Sequence, residues 1–92
     1  MAITSSPYVH PNDFPLELKT IVLLHLDRSK PLRALTDSIN DDGYVHFSIG
    51  IVHSLLKALD KDRLVTVRRK YDDDWWIITK QGVDLLKEQG LI

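Results

Sequence analysis

The chain has 92 residues, 43% of them hydrophobic, and no cysteine. That composition suits one compact core and excludes a disordered chain, a disulfide framework and a thiolate metal site. Net charge is −1, with twelve Lys and Arg against thirteen Asp and Glu, so a chain that holds nucleic acid by bulk positive charge is excluded as well.

Residues 1–12 hold Ser5, Ser6, Pro7 and Pro11 without periodicity and read as a flexible N-terminal arm, leaving 13–92 as one domain. The arm lacks the basic start and apolar middle of a secretory signal. Apolar runs such as Ile21 to Leu24 are far too short to cross a membrane. A soluble, cytoplasmic domain is expected. Asp13 is placed to cap a first helix, with Pro15 in its opening turn. Leu18, Ile21, Val22 and His25 then recur at i, i+3, i+4 and i+7, which predicts a helix over about 15–27.

The segment "DRSKP" ends that helix, and Ser29 or Lys30 is placed to cap a second, over about 31–40, with Leu32, Leu35 and Ile39 inward. "NDDGY" is turn chemistry. Ser48 is the next cap, and Val52, Leu55, Leu56 and Leu59 form the buried stripe of a third helix over about 48–61. The opposite face carries Ile49, Gly50, His53, Ser54 and Lys57, with no carboxylate before Asp60.

After Arg63 the period changes from 3.6 to 2. Val65, Val67 and Arg69 alternate with Thr66 and Arg68 as a strand, "YDDD" reads as the loop, and Trp75 to Ile78 as the returning strand. Trp76, in phase with Ile78, is expected in the core and Trp75 on the other face. Thr79 is placed to cap a short last helix that ends at Gly90.

Helix, short helix, longer helix, two-stranded hairpin and short helix is the order of a winged helix-turn-helix: an α+β, mainly α fold with a three-helix core and a hairpin wing. Within it, "SIGIVHSLLKALDKDRLV" resembles the recognition-helix motif of PadR-like transcriptional regulators, with Ser48, Gly50, Leu56, Leu59, Leu64 and Val65 in register. "WWIITKQGVDLL" resembles the family's strand-to-helix motif through Ile78, Thr79, Gly82 and Leu86. Three positions depart from it: Ile51 stands for the usual Thr, His53 for Tyr and Arg63 for Gly.

The resemblance implies a sequence-specific regulator that binds double-stranded DNA as a homodimer, with the third helix in the major groove. On that reading Ser48, Ile49, Gly50, His53 and Lys57 face the groove, while Arg68, Lys70 and Lys80 meet phosphates from the wing and the last helix. Cations on an edge strand also serve simply to guard it. Asp72, Asp73 and Asp74 would repel phosphate at the wing tip. They support an alternative in which the domain is a protein–protein adaptor or inhibitor whose acidic tip meets a protein partner. Trp75, with Tyr8 of the arm, is a candidate interface, or else packs on Tyr71 or Tyr8.

His10, His25, His46 and His53 show no metal-ligand spacing, and His25 reads as a satisfied core histidine. There is no phosphate loop and no nucleophile–base pair, so neither an enzyme nor a cofactor is expected. A chain this short is not expected to enclose a ligand pocket.

Overall fold

The computed structural model describes residues 14–92. In chain order they form α1 (Leu16–Leu24), β1 (Lys30–Pro31), α2 (Leu32–Asp41), α3 (Ile49–Lys61), β2 (Val65–Lys70), β3 (Asp73–Ile78) and α4 (Lys80–Glu88). The expected order holds, with one addition. β1 pairs with β3, so the wing belongs to a three-stranded antiparallel sheet of order β1-β3-β2. The expected arm over 1–12, Tyr8 within it and the Asp13 cap lie outside the described residues.

α1 stops at Leu24, three residues before the expected end. Lys30 explains where the terminal carbonyls go: its Nζ donates to His25 O at 2.6 Å while pairing with Asp27 at 3.1 Å. That ammonium beside Asp27 holds its carboxyl below the usual range. Lys30 therefore closes α1 instead of capping α2, whose N-cap is Pro31, with no side-chain capping bond. Ser29 does not cap α2 either.

The core gathers one stripe from each helix. Val22 and Leu23 of α1, Leu35 and Ile39 of α2, and Val52, Leu55, Leu56 and Leu59 of α3 are fully buried with Val65, Trp76 and Leu86. Leu32, expected inward, is only partly buried at its edge.

Between α2 and α3 the Asn40 amide spans the turn. It accepts from Phe47 N at 2.8 Å and donates to Phe47 O at 2.9 Å. Gly43, at φ 79°, makes the reversal within it.

α3 ends in a Schellman motif: Leu64 N donates to Leu59 O at 2.9 Å and Arg63 N to Asp60 O at 3.0 Å. The left-handed residue there is Arg63, at φ 63°. α4 ends the same way, with Leu91 N to Leu86 O at 2.9 Å, Gly90 N to Lys87 O at 3.0 Å, and the favoured glycine at φ 70°.

Thr79 ties the two ends of the hairpin together. Its hydroxyl donates to Arg63 O at 2.7 Å and accepts from Gly82 N at 3.1 Å, which caps α4 as expected.

Candidate nucleic-acid interface

Ser48 caps α3, its Oγ accepting from Ile51 N at 3.2 Å. The buried stripe turns Ser48, Ile49, Gly50, His53 and Lys57 outward, and all five are exposed. At Gly50 a β-carbon would meet nothing closer than Ser48 Oγ at 3.9 Å, so the helix surface there is open. No acidic residue lies in the first turn. Lys57 has no carboxylate partner among the described residues.

The hairpin is more sharply turned than its composition suggests. Lys70 pairs with Asp73 and Arg69 with Asp74, which leaves Tyr71 and Asp72 as a two-residue turn with φ of 54° and 61°. Positive φ at both positions is the type I′ geometry that matches strand twist. The expected four-residue acidic loop is thus corrected: Asp73 and Asp74 are strand residues, and only Asp72 sits at the tip. The charge of Asp74 is also met locally. Arg69 Nη1 lies 3.3 Å from Asp74 Oδ1, and Lys70 stands opposite Asp73 in register. Composition marked the acidic cluster as loop, while pairing across the strands decided otherwise.

The two faces of the hairpin differ in what they adjoin. Trp76 is 5% exposed and meets the exposed His53 ring edge-on, with centroids 6.4 Å apart. The face carrying Trp76, Val67 and Arg69 therefore adjoins α3. Arg68 and Lys70 lie on the opposite face with Trp75. The structure thus groups the five α3 residues together and sets Arg68 and Lys70 apart from them. Neither Arg68 nor Lys70 has a carboxylate partner among the described residues, whereas Lys80 pairs with Asp84 at 3.3 Å.

Trp75 is half-buried, donates from Nε1 to Lys70 O at 3.0 Å and meets Tyr71 edge-on with centroids 6.4 Å apart.

Two further exposed residues lie outside the predicted set. Arg33 opens α2 with no carboxylate partner among the described residues, and Tyr44 in the α2–α3 turn is 89% exposed. Arg33 is legible from the phase of α2, since the Leu35 and Ile39 stripe turns it outward. Tyr44 was hidden by the turn formers around it.

His25 is satisfied but only partly buried, outside the core. Its Nδ1 is 2.8 Å from Ser38 Oγ and its Nε2 2.7 Å from Asp42 Oδ2. The pair borders an open cavity of about 380 Å³ walled by Ile21, Leu24, Ile39, Tyr44 and Val45. α1 lines one side of it and the end of α2 with the α2–α3 turn the other. Among the described residues no group of three or more His, Cys, Asp or Glu is placed to hold a metal ion, and no helix is long and apolar enough to cross a membrane.

Three helices under a hairpin wing, with the third helix exposed along one side, define a winged-helix fold. Among solved structures the chain is similar to F93 from STIV, a winged-helix DNA-binding protein. The TM-score is 0.74 at 18% identity, over 84% of this chain and 87% of that one. No protein-family model and no curated protein matches the chain. The chain is accordingly assigned to the winged-helix fold, and to no family within it.

Proposed function

We propose that this chain is a sequence-specific regulator of transcription that binds duplex DNA with α3 in the major groove, acting in the cytoplasm as a homodimer and without enzymatic activity. The observation that carries the reading is the α3 surface itself: exposed, free of carboxylates through its first turns, and open at Gly50. That combination favours entry into the groove, because an acid-free start avoids repulsion from phosphate and the open glycine lets the backbone approach closely. Ser48, Ile49, Gly50, His53 and Lys57 supply the groove contacts. Arg68, Lys70 and Lys80 supply phosphate contacts from outside α3.

The similar structure F93 is described as DNA-binding, which supports the same role here. A homodimer suits a domain that presents one short helix, since two copies double the base contacts on a palindromic site. Residues 13–92 form the binding domain and 1–12 an appended arm. The resemblance of the α3 and strand-to-helix motifs to those of PadR-like regulators supports a role in transcription regulation.

A protein–protein adaptor is the competing role. Its main support was a tip of three carboxylates, and the turn leaves one, Asp72, with Asp73 and Asp74 set opposite cations.

The test is duplex binding measured against salt concentration for the wild type and for Lys57→Ala combined with Arg68→Ala. Each phosphate contact adds about 0.9 to the log–log slope. A steep wild-type slope that the double variant lowers by about 2 supports the reading; absence of binding at low salt overturns it.

A further inference from the structure

The leading turn of α3 is apolar where it is exposed. Ile49 is 45% exposed and Ile51 is 41% exposed, and neither packs against the hydrophobic core. A helix advances about 100° per residue, so the two side chains stand on either side of open Gly50. Two β-branched aliphatics left in water forgo the burial that normally stabilises such residues, and among the described residues no core contact uses them. The side chains that read purine edges by paired hydrogen bonds are Arg or Lys for guanine and Asn or Gln for adenine. α3 contains no Arg, Asn or Gln, and its groove-side donors are His53 and Lys57. In the major groove one apolar group distinguishes one base pair from another, the 5-methyl group on a pyrimidine.

We infer that Ile49 and Ile51 read pyrimidine 5-methyl groups on either side of Gly50, adding a preference for methylated pyrimidines to whatever His53 and Lys57 read. The inference rests on the duplex-DNA reading above. Charge agrees with that occupant. The turn has no acid, and Lys57 has no ionic partner among the described residues. The preferred site carries thymine beneath the first turn of α3. A 5-methylcytosine offers the same methyl at the same place.

The experiment selects a binding duplex from a random pool with the full chain, then replaces each thymine singly by deoxyuridine. That change removes the methyl and keeps every hydrogen-bonding group. One buried methyl group corresponds to about fourfold in affinity. Loss of about fourfold at one or more positions is expected for the wild type, with little or no loss for Ile49→Ala combined with Ile51→Ala. Both substitutions lie outside the core and favour helix, so the variant keeps its fold.

At the sensitive positions a C·G pair is then compared with 5-methyl-C·G. Recovery by methylation shows that the methyl alone is read; no recovery, with the deoxyuridine loss intact, restricts the readout to thymine. If deoxyuridine is neutral everywhere, or costs the double variant as much as the wild type, the inference is overturned while salt-dependent binding still stands. If no duplex binds at all, the DNA reading itself falls and this inference with it. The isoleucines would then serve a protein partner.

Discussion

The Asn40 side chain holds Phe47 by both of its backbone groups, accepting from Phe47 N at 2.8 Å and donating to Phe47 O at 2.9 Å. This clamp joins the end of α2 to the residue before the Ser48 cap, so it sets the angle at which α3 leaves the turn. Asn40→Ala removes both bonds and is expected to destabilise the domain by about 2 kcal/mol, at about 1 kcal/mol per bond. Urea denaturation measures the loss. Duplex affinity should fall as well, because the start of α3 is no longer held.

Arg63 occupies the left-handed position of the first Schellman motif, where the second has Gly90. A side chain at that φ costs about 1–2 kcal/mol, partly offset by the greater chain entropy of glycine in the unfolded state. Arg63→Gly is therefore expected to stabilise the domain by about 1 kcal/mol and raise Tm by about 4–8 °C. Gly90→Ala should do the reverse. Thermal unfolding of the two variants side by side checks the sign of both.

Gly82 allows α4 to close on the hairpin. A β-carbon there would collide with Leu64 O and lie 2.6 Å from Ile78 Cγ1. Backbone cannot step aside as a flexible side chain can, so α4 must shift. Gly82→Ala is expected to cost about 2 kcal/mol, although alanine is the better helix former by about 1 kcal/mol. A stabilised Gly82→Ala protein in denaturant titration would contradict this packing account.

Under the proposed function, Lys57 and Lys80 are not equivalent. Lys57 has no ionic partner among the described residues, while Lys80 sits 3.3 Å from Asp84. Lys57→Ala should lower the magnitude of the salt slope by about 1. Lys80→Ala should lower it by less than half as much, since Asp84 already neutralises part of that charge. Fluorescence anisotropy with labelled duplex at several salt concentrations separates the two.

The caps at Ser48 and Thr79, the glycine end of α4 and the burial of Trp76 were legible in the chain, because each depends on hydrogen bonds or periodicity within a few residues. The two-residue strand Lys30–Pro31 was not. It has no period of its own, carries a proline tolerated at an edge, and exists only because Trp75 and Trp76 of β3 lie beside it. The hairpin turn was misplaced for a related reason. Three aspartates look like loop by composition, yet the register running from Val65 opposite Ile78 to Lys70 opposite Asp73 draws two of them into the strand.

The candidate surface divides in the same way. Helical phase alone turned Ser48, Ile49, Gly50, His53 and Lys57 outward, and strand alternation alone separated Arg69 from Arg68 and Lys70. Which hairpin face adjoins α3 came from the contact between His53 and Trp76, residues far apart in the chain. Local chemistry and period determined the four helices and the two hairpin strands and which side of each is polar, since both are written into neighbouring residues. Tertiary structure alone decided how those sides meet, because pairing register, the Asn40 clamp and the approach of α4 at Gly82 each join distant segments.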